Sequence, residues 1–268
     1  MKLQMSGLIA AAAISIAGSA SAATTIALDG GGSNTPGATT IQGLNVGNIR
    51  TYTSGSVSLT AQGWTYDKDY TPDQLLSSYL GAYSGHGLGV SSPHVDTNGY
   101  LSGNGIGGAA ESSTGNQHTI DNNADGRIDF VLLKFNKAVD LTSLYFNVYD
   151  MPPTGGTDGD ATIFYKNGAF APVNGGNAET YLAQFSSIDL PGSSSGSRNV
   201  PGVTYSNTWL VAAAAGSGYN DGFKLKSLSF DVQPPGVPEP ATWLSMMIGF
   251  AAVGGLLRHR RGLAPAVA

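Results

Sequence analysis

The chain contains 268 residues, carries a formal net charge of −5 and has no cysteine. The lack of cysteine excludes disulfide bonds, a lipoprotein anchor and thiolate metal sites. Only 12% of the residues are charged while 38 are glycine, which favours an all-β domain with polar loops. The acidic charge argues against nucleic acid as a partner.

Residues 1–22 have the three parts of a secretory signal peptide. Met1 and Lys2 form a short positive segment, Leu8 to Ala17 is apolar, and Ala20 and Ala22 form a small-x-small cleavage site. We expect the Sec export machinery to recognise this segment and cleavage to follow Ala22. An N-terminal anchor is the alternative, but the apolar part is short and rich in alanine.

Residues 23–232 are expected to form the folded domain. Between residues 23 and 237 lie nine of the 13 Lys and Arg and 17 of the 18 acids, which leaves a net charge of −8. Ile26 and Leu28 suggest a first strand, and alternating apolar residues in Ser56 to Tyr66 predict another.

Thr71-Pro72-Asp73-Gln74 has the pattern of a helix start, with Thr at the N-cap, Pro at the first helical position and Gln closing a capping box. Leu75, Leu76, Tyr79 and Leu80 would then share one helix face, and Gly81 would end it. The sequence therefore predicts one short helix in the exported domain.

The segment from Asp121 to Asp129 resembles a calcium loop. Asp121, Asn123, Asp125 and Asp129 place oxygen ligands at positions 1, 3, 5 and 9, but position 12 is Leu132 where a bidentate Glu is expected. The alternative is an Asx-rich turn that leads into the next strand. Asp158 and Asp160 also suit either a second cation site or a turn.

Further strands are expected in the second half of the domain. Asn167-Gly168 between apolar runs predicts a hairpin, and a change of phase near Lys226 predicts a β-bulge. The predicted strands cover Ile128 to Phe135, Leu144 to Val148, Ala161 to Tyr165, Ala169 to Val173, Tyr181 to Phe185, Thr208 to Ala214 and Phe223 to Val232. Seven to nine short strands predict a jelly-roll-like antiparallel β-sandwich.

The sequence contains a few candidate catalytic and sugar-binding residues, but their patterns are incomplete. Gly192 to Gly196 matches Gly-x-Ser-x-Gly, yet no helix is expected after it, as a nucleophile elbow requires. The exported histidines, His86, His94 and His118, have no metal-ligand spacing. Trp64, Trp209 and some tyrosines suit either a sugar-stacking platform or the core.

A Pro-rich linker over residues 233–237 separates the expected domain from a C-terminal segment with a different sequence pattern. Pro238, Glu239 and Pro240 are followed by Trp243 and an uncharged run over 241–257, and then by Arg258, Arg260 and Arg261. A helix of that run would be about 25 Å long, near the lower limit for crossing a bilayer. We expect a transmembrane helix with its arginines on the cytoplasmic side, and a short tail over 262–268.

The segment 238–261 resembles the PEP-CTERM sorting signals of Gram-negative bacteria. In that family, a membrane-embedded cysteine protease, the exosortase, is thought to cut near the motif. The resemblance implies that Pro238, Glu239 and Pro240 form the processing motif, that Trp243 is the family's aromatic residue, and that the arginines form the membrane stop. An ordinary C-terminal anchor is the alternative.

The centre of the chain resembles exosortase-dependent surface proteins of no established activity. The similar stretches are Gly81 to Val90, His118 to Asn122, Asp129 to Leu141 and Asp158 to Ile163. The two resemblances together imply an exported protein that is held at the inner membrane, cut by exosortase, and left at the cell surface or released.

Three functions follow from the sequence as expectations. The first is a non-catalytic structural or adhesive role, which the resemblance links to exopolysaccharide or biofilm. The second is a carbohydrate-binding module, with calcium as its only expected cofactor. The third is a secreted hydrolase, for which the sequence shows no carboxylate pair or Ser-His-Asp cluster.

Overall fold

The computed structural model describes residues 23–41, 44–67, 72–91, 118–122, 127–150, 157–214, 221–234 and 240–261. The chain divides into two units, Met1–Gln233 and Pro234–Ala268. In its described residues the first unit consists of strands and one short helix, and those of the second contain one helix. Among the described residues the all-β prediction for the domain over 23–232 is therefore confirmed.

The described strands range from two to 22 residues in length. In chain order they are β1 (Thr24–Ala27), β2 (Ser33–Thr35), β3 (Thr39–Ile41), β4 (Leu44–Val46), β5 (Ile49–Ser54), β6 (Val57–Asp67), β7 (Gln74–Tyr83), β8 (Gly87–Ser91), β9 (Ile120–Asp121), β10 (Arg127–Val148), β11 (Ala161–Lys166), β12 (Ser186–Leu190), β13 (Gly196–Asn199), β14 (Ser206–Ala213) and β15 (Gly222–Val232). The helices are α1 (Ala178–Leu182) and α2 (Pro240–Arg261).

Thirteen of these strands belong to one sheet, and β3 and β4 form a separate pair. Within the larger sheet, β10, β15, β8, β7 and β6 form a closed circuit, because β6 also pairs with β10. This arrangement differs from the expected jelly-roll-like sandwich of two separate sheets. Every described strand pair in the ladders is antiparallel, as expected.

Strand β10 connects the two halves of the sheet. Its first part pairs with β6 and β14, and its second part pairs with β15 and β13. The sequence predicted two strands here, at Ile128 to Phe135 and at Leu144 to Val148. The structure joins them into one strand of 22 residues with a register shift between Lys134 and Val139.

The core lies between the inward faces of these strands. Phe146 and Phe223 meet edge to face with ring centroids 4.6 Å apart, and Phe135 contacts Phe230 at 5.3 Å. Fully buried apolar side chains come from segments far apart in the sequence, among them Leu28, Leu59, Leu80, Leu132 and Trp209. Burial of this kind contributes about 1.5–3 kcal/mol per large side chain.

Several sequence predictions are confirmed. Ile26 and Leu28 are buried at the first strand, and β6 buries Val57, Leu59 and Ala61 on one face. The predicted bulge in β15 is present, because Tyr145 pairs with Ser227 while Phe146 pairs with Leu225, which leaves Lys226 unpaired in the ladder.

The helix predicted after Thr71 is wrong. Residues Gln74–Tyr83 form β7, which pairs with β6 on one side and β8 on the other. Leu75 and Leu80 are buried as sheet residues. Cross-strand pairing and burial outweigh the local capping pattern here, because propensity is a weak determinant when tertiary contacts compete with it.

The short helix lies instead at α1, where a strand was expected over Tyr181 to Phe185. Asn177 caps it, since its side chain accepts a hydrogen bond of 2.6 Å from the Thr180 amide. The hairpin predicted at Asn167-Gly168 is also wrong, because β11 pairs with β12 and β14, and residues 169–173 form no strand.

The second unit contains α2. No helix among the described residues is long and apolar enough to cross a membrane. The transmembrane helix predicted over 241–257 is therefore not found, and the uncharged run of 17 residues is short for a span of about 30 Å.

Candidate functional sites

The predicted calcium ligands are not brought together in the described structure. Asn123 and Asp125 lie outside the described residues. Asp121 accepts a hydrogen bond of 2.8 Å from the Thr119 hydroxyl. Asp129 is only 3% exposed, and the Thr65 hydroxyl, itself 2.8 Å from the Ser78 hydroxyl, donates to it. This contact ties Asp129 to a buried hydroxyl network between β10, β6 and β7.

A different acidic group does form, from Asp158, Asp160 and Asp221. One carboxylate oxygen of each lies within 4.8 Å of the others. Asp158 and Asp160 precede β11, whereas Asp221 precedes β15, and a parallel bridge joins Asp158 to Asp221. We call these three residues the acidic cluster.

Backbone and amide groups hold the acidic cluster in place. The Asp160 amide donates to Asp221 Oδ1 at 3.1 Å, and Asn122 Nδ2 donates to Asp221 Oδ2 at 2.6 Å. The Asp221 amide donates in turn to Asn122 Oδ1 at 3.0 Å. Asn122 belongs to the predicted calcium loop, so this loop begins beside the acidic cluster.

Electrostatics in the cluster disfavour full ionisation. Burial, together with the charges of Asp158 and Asp160, raises the pKa of Asp221 from 3.8 to about 7. Three carboxylates in this geometry present oxygen ligands of the kind that calcium prefers. A bound divalent cation would favour the ionised form of Asp221, since an opposite charge nearby lowers the pKa of a carboxyl group.

Arg198 supports the same region through its guanidinium group. It donates to the carbonyl oxygens of Gly159 and Gly192, the latter at 2.7 Å, and lies over the Phe146 ring with 4.9 Å to its centroid. Burial lowers the Arg198 pKa, while Asp160, Asp158 and Asp221 oppose this shift. Arg198 therefore links the loop that carries Asp158 and Asp160 to the loop that contains Gly192.

A second group of polar residues surrounds His118. Its Nδ1 atom is hydrogen-bonded to the Ser91 hydroxyl, and its ring stacks on Tyr83 with centroids 5.5 Å apart. Burial, and then the charge of Lys224, lowers the His118 pKa from 6.5 to about 4.

This Ser-His pair does not have the properties of a catalytic nucleophile and base. A general base works best with a pKa near the operating pH, and the pKa of His118 is far below neutrality. Ser91 is 0% exposed, so its hydroxyl cannot meet a substrate in this conformation. His86 pairs with the Tyr149 hydroxyl at 2.7 Å, and His94 lies outside the described residues.

The tryptophans of the domain are part of its core. Trp209 is fully buried and donates from Nε1 to the Ser206 carbonyl oxygen at 3.0 Å, and Trp64 is 6% exposed. The structure therefore removes both as a sugar-stacking platform. The Gly192 to Gly196 loop leads into strand β13 with no helix after it, so it does not form a nucleophile elbow.

The residues of the predicted sorting motif are described in part. Pro240 begins α2 and Trp243 is 49% exposed, while Arg258, Arg260 and Arg261 lie in the last turns of α2. Pro238 and Glu239 lie outside the described residues, as do Ala20 and Ala22 of the predicted signal-peptide cleavage site.

Asp221 was not selected from the sequence, although Asp158 and Asp160 were. Its only local signal is an Asp-Gly pair before a strand, which is typical of turns. No family model matches the chain, and no curated protein or solved structure is significantly similar to it.

Proposed function

We propose that the protein is an exported, exosortase-processed protein of the cell surface or extracellular matrix of a Gram-negative bacterium. Its β domain has a non-catalytic structural or adhesive role in an exopolysaccharide layer or biofilm. Before processing, the chain is held at the inner membrane through its C-terminal helix. Exosortase and the Sec machinery are its partners during export.

The observation that carries this proposal is the exposed apolar surface of α2. Its large apolar side chains are exposed along the helix, at Trp243, Leu244, Met246, Met247, Ile248, Phe250, Val253, Leu256 and Leu257. Large apolar side chains exposed over several turns of a helix favour a partner of low polarity. An apolar helix in its own unit, flanked by the Pro-Glu-Pro motif and arginines, is the expected form of a sorting segment.

The test is the intact mass of the protein recovered from the producing cells and their medium. Processing predicts a product that ends near Pro238 and lacks the arginines. A Glu239→Ala variant should stay uncut, whereas a Glu179→Ala variant, changed in the exposed first turn of α1, should be cut as usual. An uncut wild-type chain would contradict the proposal and favour an ordinary anchor.

A second candidate function is calcium-dependent carbohydrate binding. It is favoured by the position of Asn122, which joins the start of the predicted calcium loop to Asp221 of the acidic cluster. In this proposal the carboxylate oxygens of the acidic cluster bind one calcium ion.

Thermal unfolding tests this second function directly, because a ligand that binds only the folded state raises the stability of that state. Millimolar calcium should raise the melting temperature of the wild type, and EDTA should reverse the rise. A double Asp158→Asn, Asp160→Asn variant should not respond, while Asp29→Asn should respond as the wild type does. An unchanged wild-type melting temperature would rule out a calcium site of that affinity.

A further inference from the structure

One face of the sheet combines tyrosine rings with lysine ammonium groups. Phe146 of β10 faces the core, so its neighbours Tyr145 and Asn147 face the opposite side. Asn147 lies opposite Lys224 of β15, and Lys226 reaches the Tyr145 ring. We call Tyr145, Asn147, Tyr149, Lys224 and Lys226 the tyrosine–lysine face.

The bulge in β15 makes this face possible. Phe223 and Leu225 are buried in the first half of β15, and Leu228 and Phe230 are buried in the second half. Strand residues alternate between faces, so in a regular strand Phe223 and Leu225 would lie on one face and Leu228 and Phe230 on the other. One extra residue between the two pairs brings all four to the core face. Lys226 is that extra residue, and both lysines therefore lie on the side opposite the core.

Both lysines are paired with aromatic rings. Lys226 Nζ lies 5.6 Å from the centroid of Tyr145, and Lys224 Nζ lies 4.7 Å from that of Tyr149 and 4.5 Å from that of Tyr83. Lys224 is 6% exposed, whereas Lys226 and Tyr145 are half-buried. Within the described part of the chain, Lys226 is paired with no carboxylate.

We infer that the tyrosine–lysine face binds an acidic polysaccharide, with Tyr145 against a sugar ring and Lys226 against a sugar carboxylate. Tyr149 already pairs with His86 and Lys224, and therefore borders this site. Tyrosine offers an apolar ring and a polar hydroxyl, which suits a sugar with an apolar C–H face and hydroxyl groups. The choice of a polysaccharide as ligand rests on the proposed function.

Charge complementarity supports an acidic ligand on this face. The segment 23–237 has a net charge of −8 and only nine Lys and Arg, two of which lie here. At physiological ionic strength charges are screened over about 8 Å, so a ligand carboxylate beside Lys226 responds to that lysine more than to distant acids. Double-stranded nucleic acid, with one charge per ~1.7 Å, would bring many more charges against the acidic remainder than a polysaccharide with at most one carboxylate per sugar ring.

The test is calorimetric titration of the full-length protein with polygalacturonate, and with dextran as a neutral polysaccharide. Wild type should bind polygalacturonate and bind dextran far more weakly. Lys226→Gln should raise the Kd by about 1.4- to fivefold, since an exposed ion pair contributes about 0.2–1 kcal/mol. Adding Tyr145→Ala should raise it by at least ~tenfold in total.

Lys137→Gln is the matched control, because it removes the same charge from a lysine bonded to the Ser56 hydroxyl elsewhere on the surface. It should bind as the wild type does, and the melting temperature of Lys226→Gln should show that the fold is intact. Equal binding of dextran, equal loss in Lys137→Gln, or full binding by Lys226→Gln would overturn the inference. Processing of the tail is measured separately by mass, so either idea can fail without the other.

Discussion

Two titratable side chains of the β domain respond to pH in opposite directions. The folded protein raises the pKa of Asp221 to about 7, so between pH 4 and 7 it keeps a proton that the unfolded chain releases. Its contribution to the free energy of unfolding therefore falls as pH rises through that range. His118, with its pKa lowered to about 4, contributes stability above pH 6.5 that is lost as pH falls towards 4.

Because these two effects oppose each other, the Asp221 pKa is best measured at its own carboxyl carbon by NMR titration. The wild type should titrate near pH 7. Asp158→Asn should lower the midpoint, since the Asp158 charge raises the Asp221 pKa. Asp29→Asn is the control and should leave it unchanged; a wild-type midpoint near pH 4 would contradict the cluster geometry.

Asn48 shows how one side chain completes a strand edge. It is fully buried, and its amide accepts from the Leu80 N–H at 2.8 Å and donates to the Leu80 carbonyl oxygen at 3.0 Å. A buried backbone group without a partner costs about 1–3 kcal/mol. The Asn48 side chain thus replaces a neighbouring strand for this residue of β7.

We expect Asn48→Ala to lower the free energy of unfolding by roughly 1–3 kcal/mol, because the buried Leu80 N–H loses its acceptor. The Leu80 carbonyl oxygen keeps the bond of 2.8 Å that it accepts from Arg50 Nε. Denaturant unfolding measures the change. Asn45→Ala, which removes only an exposed bond of 3.2 Å from Thr40, is the control and should cost less than about 1 kcal/mol. Equal losses in the two variants would show that the buried amide has no special role.

Strand β15 depends on its bulge to keep both halves in register. Deletion of Lys226 would move either Phe223 and Leu225 or Leu228 and Phe230 out of the core, because a slip of one residue exchanges the two faces of a strand. We expect the deletion to prevent folding or to cost more than ~4 kcal/mol, about the cost of truncating a buried Phe.

Replacement at the same position separates the backbone effect from the side chain. Lys226→Ala keeps the extra residue and should change the free energy of unfolding by no more than about 0.5 kcal/mol. Circular dichroism and denaturant unfolding measure both variants. A deletion variant as stable as Lys226→Ala would mean that β15 tolerates a register shift.

The β domain should fold without the C-terminal unit. All residues of the hydrophobic core identified in the described structure lie between Ile26 and Val232, and the chain divides after Gln233. A chain ending at Gln233 should therefore melt within about 2 °C of the full-length protein, since a 1 kcal/mol loss in a domain of this size would shift the melting temperature by ~2–4 °C. Thermal unfolding of the two chains side by side measures this. A drop of several degrees would show that residues 234–268 stabilise the domain.

Short-range sequence patterns predicted much of the sheet and two of the three residues of the acidic cluster. Alternation in Val57 to Ala61 and the phase change at Lys226 are confirmed because strand faces repeat every two residues, which is visible in a short stretch. Asp158 and Asp160 were identified from the sequence as either a second cation site or a turn. Asp221 was missed because it is 61 residues from Asp160 and meets it only through the pairing of distant segments.

The sequence was sufficient for the all-β class, for the strand faces and for a C-terminal segment unlike the domain before it. Composition and short-range periodicity carry that information. The position of the helix, the closed circuit of strands and the partners of Asp129, His118 and Asp221 depend on long-range contacts. Gln74–Tyr83 became a strand although it begins with a helix-capping pattern, because β6 and β8 offer hydrogen bonds and burial on both sides. Those contacts exist only when strands distant in the sequence meet.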